Sequence, residues 1–212
     1  DQSDPYTITG AGSISVSENI FFRARADGRQ IDLDRIREAE NATGGNSLES
    51  RITALRRILD RIPVPGIDGE VNMVLPALVA GDTYIRDVSA VVQPFGESWN
   101  LRAFSAKFPG NTTMEASGRL GLGEDFGFDG NILLASRQPS GFASWISGDV
   151  DPAFRRLSRF GIAAGVSVSE KQASFNNMEL RMDDAVLRGR MQRIASRDKL
   201  PAILLKLQGN RV

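Results

Sequence analysis

The chain has 212 residues, enough for one domain with a substantial hydrophobic core. Its 26 basic and 26 acidic side chains balance, which removes the electrostatic case for a nucleic-acid partner or for general attraction to anionic membrane surfaces. Histidine and cysteine are both absent, so disulfides, thiol catalysis, Ser-His-Asp and Cys-His machinery, and the ordinary zinc and non-haem iron sites are excluded.

Thr7 to Val16 and Ile20 to Arg25 are rich in β-branched and aromatic residues and are joined across Glu18-Asn19, which predicts a strand pair. The phrase from Asn19 to Arg25 (NIFFRAR) recurs at Asn131 to Arg137 (NILLASR) and more weakly at Ala202 to Gln208 (AILLKLQ). The first two copies run on into helix-like segments, Ile31 to Ile36 and Gly141 to Ile146. Repetition of this kind marks an architecture extended by stacking, in which neighbouring units bury a surface that one unit alone cannot cover. Asp32 or Asp34 can cap a short helix through Ala39, and Asn41 to Asn46 reads as a loop. Ser47 then opens a longer helix with Leu48, Ile52, Leu55 and Leu59 on one face, stopped by Pro63 to Gly66.

From Ile67 to Ala135 the period switches to two. Ile67, Val71, Met73 and Leu75 alternate with polar residues, Gly81-Asp82 turns the chain, and Tyr84, Val88, Ala90 and Val92 share a side of the next strand. Trp99 and Leu101 follow the Gly96-Glu97 turn, and a change of parity to Phe104 and Phe108 predicts a bulge near Ala103. After Pro109 to Asn111 come Met114, Ala116, Leu120 and Leu122, and after Gly123 to Asp125 come Phe126, Phe128, Ile132 and Leu134. Five strands joined by tight turns make an antiparallel meander.

Two short helices interrupt it, one over Ser140 to Ser147 and one capped by Asp151, with Pro152 at its first position and Phe154, Leu157 and Phe160 inward. Val166 and Val168, then Phe175 to Met182, then Leu187 and Met191, then Ile203 to Leu207 give four more strands. Gly118-Arg119-Leu120 and Gly189-Arg190-Met191 each precede a strand that carries the repeated phrase, so the strand block reads as duplicated. The predicted organisation is a single repeat-built domain over 1–212, with sub-blocks of about 1–66, 67–135, 136–162 and 163–212. The fold class is mainly β (α+β): a long curled antiparallel β-meander forming a groove, with three to four short helices packed against it.

The remaining constellations read as structural. Glu124-Asp125 and Asp183-Asp184 fall where hairpin turns are expected, which leaves no carboxylate pair for glycan hydrolysis outside a turn. Gly118 to Gly123 is glycine-rich but lacks the Lys and Ser/Thr of a phosphate loop. Ser13, Ser15 and Ser17 have no base to activate them. Arg51, Arg56, Arg57 and Arg61, with Arg155, Arg156 and Arg159, form either a solvated face or a surface for phospholipid head groups. No enzyme, cofactor or metal site is expected.

A one-layer meander with one apolar face must cover it with helices, another sheet or a ligand. Nine or more strands against three or four short helices leave part of that face open or force the sheet to curl, and acyl chains lying there gain about 25 cal/mol per Å² removed from water. Phe22, Met73, Val88, Met114, Phe128, Ile132, Leu134 and Leu205 are the candidate lipid-groove residues, with ordinary core packing as the alternative at each. The strand methionines, Met73, Met114, Met178, Met182 and Met191, suit a surface that accepts varied partners.

The order of elements resembles the AsmA-like family of Gram-negative envelope proteins, related to the chorein-type lipid bridges. The resemblance rests on the Ile31 to Ile36 helix start, the helix ending in proline, Gly69 to Asn72 opening a meander, the Gly81-Asp82 turn, Ile85 to Val88, Ser117 to Leu120 and the closing amphipathic strand. It implies a long β-groove with an apolar trough, in the periplasm, as part of a longer protein anchored in the inner membrane. The expected function is non-enzymatic binding or conduction of phospholipid or another acyl-chain lipid in outer-membrane homeostasis. A structural module supporting outer-membrane protein biogenesis through contacts with envelope proteins is the alternative. Self-association through open sheet edges is expected in either case.

Overall fold

A computed structural model of the chain describes residues 6–16, 19–35, 53, 55–57, 59–60, 62–123, 126–148, 150–169, 171–194 and 202–209. Among these, eleven strands form one sheet whose spatial order is the sequence order. They are β1 (Tyr6–Val16), β2 (Ile20–Asp32), β3 (Asp68–Val79), β4 (Tyr84–Phe95), β5 (Ser98–Phe108), β6 (Thr112–Gly121), β7 (Gly127–Ser136), β8 (Phe160–Ser169), β9 (Gln172–Met182), β10 (Ala185–Ile194) and β11 (Ala202–Gly209). Helices α1 (Pro139–Ser147) and α2 (Pro152–Arg156) lie between β7 and β8, and residues 33–35 and several within 53–60 are also helical. The protein is a mainly β, α+β fold.

The five strands β3 to β7 are paired antiparallel throughout, as their tight turns dictate. The four strands β8 to β11 continue in the same sense. One step differs: β2 and β3 run parallel, with Phe22 beside Gly69 and Met73 beside Ala26. Residues 33–67 therefore return the chain to the end of the sheet where β2 began, the long connection that a parallel pair requires. The two copies of the repeated phrase thus lead to different topologies, a parallel crossover after β2 and an antiparallel return through α1 and α2 after β7.

The expected curl is absent. The sheet is open and uncurled, and among the described residues β1 and β11 are its edge strands. Part of the apolar face is covered instead by helix and connection residues. Ile31 and Leu33 join Leu75, Ala80, Ile85, Val88 and Ala106 in one core cluster, against which Phe104, Phe108 and Trp145 pack. Leu75 and Ala106 are only 2% and 1% exposed, and burial of a leucine-sized side chain contributes about 1.5–3 kcal/mol. The α1 aromatics close this end: Trp145 lies 5.4 Å from Phe108 and 6.0 Å from Phe142, ring centre to ring centre. Beneath them the buried Thr112 Oγ1 donates to Ser136 Oγ at 2.8 Å, and Ser136 Oγ donates to the Gly110 carbonyl at 3.1 Å, so these polar groups are satisfied. A second cluster, Ala164, Val166 and Met178 with Phe128, Ile132, Ile162, Phe175 and Met191, occupies β7 to β10.

The register shifts at several points of the sheet, two of them in β4 and β5. The one expected near Ala103 is present, as the pairing of β5 with both neighbours shifts between Leu101 and Phe104. The other was not expected: Asp87 has φ 52°, and the β4–β5 register shifts between Arg86 and Ser89. That left-handed residue breaks the alternation, so Ile85 and Val88 are both buried whereas Tyr84, expected to share the side of Val88, is exposed. The helix start takes the first of its two candidate caps. Asp32 is the cap, accepting from the Arg35 amide at 2.9 Å, while the Asp34 carboxylate accepts from the Gly81 and Asp82 amides at 3.0 Å each and holds the β3–β4 turn. The rest of that helix, the Asn41 to Asn46 loop, Leu48 and Ile52, and the Glu124-Asp125 turn lie outside the described residues.

Gly118 and Gly189, each in the strand before one that carries the repeated phrase, are alike in one respect. A Cβ on Gly118 would run into the Asp129 carbonyl of β7, and one on Gly189 into the Lys206 carbonyl of β11. Each glycine lets its strand approach the one that carries the repeated phrase.

Candidate functional site

The pairing register decides which side chains share a face, because alternate residues of a strand point to opposite sides. Met73 is opposite Ala90, Ala90 opposite Phe104, Phe104 opposite Ala116, Ala116 opposite Ile132, and Ile132 opposite Ala164. This is one apolar row across six strands. A parallel row runs from Met114 through Leu134, Ile162 and Leu180 to Leu187. The reverse face carries rows such as Asn100, Arg119, Asp129, Ser167, Ser174 and Gln192. The sheet is two-sided, apolar on one face and predominantly polar on the other.

All eight candidate residues fall on the apolar face. Val88 and Ala90 share a side of β4, Phe128 is opposite Val168, and Leu205 is opposite Met191, which is opposite Phe175 and through it Val166. Phe22 lies beside Gly69, whose missing side chain leaves room for the Phe22 ring. Their exposure divides them. Val88 and Leu134 are buried, Phe22, Met73, Met114, Phe128 and Ile132 are half-buried, and Leu205 is 57% exposed.

The apolar surface is freest at the two edges. Every residue of β11 is exposed, including Ile203, Leu204, Leu205 and Leu207, and Ile14 and Val16 of β1 are exposed at the other end. An edge strand with unpaired backbone groups and apolar side chains on both sides is a template for further strand pairing.

The polar face is organised by ion pairs. Glu179 receives Arg181 at 2.7 Å and Arg188 at 2.8 Å, and these two hydrogen bonds hold its carboxyl below the usual glutamate range. Asp87 meets Lys107 at 2.7 Å, a hydrogen bond that, with the field of Lys107 and the smaller one of Arg86, lowers its pKa as well. A hollow of about 970 Å³ is bordered by Arg86, Lys107, Thr113, Ala135, Arg159 and Arg181. Phe128 borders a second, of about 610 Å³, with Arg119, Leu122 and Ser167. Both are mixed in polarity, so neither is a purely apolar trough.

Of the arginines singled out from sequence, Arg56 is engaged in structure. It donates to the Gly123 carbonyl at 2.7 Å and lies 4.7 Å over the Phe126 ring, while Asp60 accepts from the Gly123 amide at 3.0 Å. Arg155 and Arg156 are exposed, and Arg159 meets Asp184 at 3.3 Å. Arg51 and Arg61 are outside the described residues. Asp183 and Asp184 form the β9–β10 turn, where Asp183 Oδ1 accepts from the Ser158 and Arg159 amides at 3.0 and 2.8 Å. Comparison with protein-family models, curated proteins and solved structures found no match. Asp34, read from sequence only as a possible helix cap, instead holds the β3–β4 turn, and Asp87 carried no signal in the sequence.

Proposed function

We propose that this chain is a non-enzymatic segment of a cell-envelope protein that holds or conducts phospholipid or a similar acyl-chain lipid along the apolar face of its sheet. The observation that supports this reading is the register: an apolar face runs from Phe22 on β2 to Leu205 on β11, with its partners opposite one another strand after strand. Such a face holds acyl chains by their removal from water, at about 25 cal/mol per Å², and needs no hydrogen bond to do so. The absence of directional contacts suits cargo that slides. The resemblance of the element order to AsmA-like proteins points the same way, and with it to a periplasmic place in a longer, inner-membrane-anchored protein with a role in outer-membrane homeostasis.

A second reading, a module that supports outer-membrane protein biogenesis through protein contacts, draws on β11, an edge strand exposed at every residue and suited to strand addition. Native mass spectrometry of the purified protein, with extraction of bound lipid, separates the two. Co-purifying phospholipid, or its uptake from vesicles, is the expected result. A clean protein mass with no uptake favours the protein-contact module.

A further inference from the structure

The polar face carries two like-charged pairs placed directly opposite one another across neighbouring strands, Arg86 with Lys107 and Arg190 with Lys206. Like charges so placed repel. The first pair is compensated, because Asp87 is inserted by the β4 bulge and bonds Lys107 at 2.7 Å. The second is not: among the described residues no carboxylate pairs with Arg190 or Lys206. Of the residues facing that side of β9 to β11, only Glu179 is acidic, and Arg181 and Arg188 already occupy both of its oxygens. Around the uncompensated pair lies instead a hollow of about 540 Å³, bordered by the neutral polar side chains Gln172, Ser174, Asn176 and Gln192 and by Met191, Leu204 and Leu205.

We propose that Arg190 and Lys206 form a binding site for a phosphate group. A guanidinium and an ammonium on facing strands supply charge and directed donors to one tetrahedral anion, and the side-chain amides of Asn176 and Gln192 border the same hollow. A bound phosphate does for this pair what Asp87 does for Arg86 and Lys107. Arg190 and Lys206 are on the opposite face from the proposed lipid surface, although Met191 and Leu205 of that surface also border the hollow, and the phosphate site does not rest on lipid binding. The phosphate belongs either to a lipid head group that meets the sheet edge or to a soluble compound.

The test is a titration of the ¹⁵N-labelled protein with inorganic phosphate at constant ionic strength, followed by thermal unfolding with and without phosphate. The expected result is saturable shifts at Asn176, Arg190 and Gln192, a phosphate-dependent rise in Tm, and binding weakened about tenfold or more by Arg190→Gln or Lys206→Gln. Arg193→Gln removes the same charge from the other face of β10 and is expected to leave binding unchanged. In the absence of phosphate, each of the two site substitutions is expected to hold or raise Tm, because it relieves the repulsion. Flotation with phosphatidylglycerol vesicles then identifies the source: recovery that depends on Arg190 and Lys206 assigns a lipid head group, and phosphate binding without it assigns a soluble ligand. Absence of saturable shifts, or shifts that survive both site substitutions, overturns the proposal.

Discussion

The indole Nε1–H of Trp145 donates a 2.9 Å hydrogen bond to the Ala80 carbonyl, 65 residues away in the chain. Ala80 is 2% exposed, so this bond satisfies an acceptor that water cannot reach, and it fixes α1 across the ends of β3 and β5. Replacement of Trp145 by Phe retains most of the ring and removes the donor. The expected outcome is a loss of about 1–3 kcal/mol, the usual cost of an orphaned buried carbonyl, measured by urea denaturation at an unchanged m-value.

Asp34 joins the start of the β2–β3 connection to the β3–β4 turn through two backbone amides. That turn has φ 65° at Gly81 and 55° at Asp82, a conformation that depends on outside support where a non-glycine residue takes it. Asp34→Ala is expected to destabilise by about 1–2 kcal/mol, in the range of lost caps, and Asp34→Asn by less because it keeps one acceptor. Amide hydrogen exchange at Gly81 and Asp82 reads the local effect directly: faster exchange is expected in the alanine variant.

Much of this arrangement was legible in the residues. Alternation at Met73, Ala90, Met114, Ile132 and Leu134 is a period-two signal that fixes both the strands and the face each side chain takes, and the parity change at Leu101 and Phe104 located a bulge. Direction was not legible. The pattern of β2 is the same whether β3 runs with it or against it, and only a long connection between them separates the cases. The left-handed turn at Asp87 also left no mark, because aspartate enters that conformation without a glycine to announce it. The openness of the sheet depends on how Leu33 and α1 fill the face, which is a matter of packing between distant segments.

Glu179 accepts hydrogen bonds from Arg181 and Arg188, and its pKa in the folded protein is below the ordinary value as a result. A carboxyl shifted in that direction contributes stability that is fully present above its unfolded-state pKa and is lost as pH falls through the folded-state value. Glu179→Gln is therefore expected to lower Tm slightly at neutral pH, with the difference from the parent closing in acid. Since both arginines are exposed and Glu179 is only half-buried, added salt is expected to narrow the gap at neutral pH as well.

Whether the apolar face receives lipid is decided by site-specific photo-crosslinking in cells. Met114 and Phe128 are half-buried on that face, whereas Asn131 is exposed on the reverse face in the row of Ser117 and Gly165. A photoreactive side chain at Met114 or Phe128 is expected to capture phospholipid, and one at Asn131 is not. Met114→Asp and Phe128→Asp are expected to block transport while the domain stays folded, because an open face can hydrate a carboxylate and a closed core cannot. No lipid captured at either position, together with outright unfolding of both aspartate variants, would contradict the account and identify the face as core.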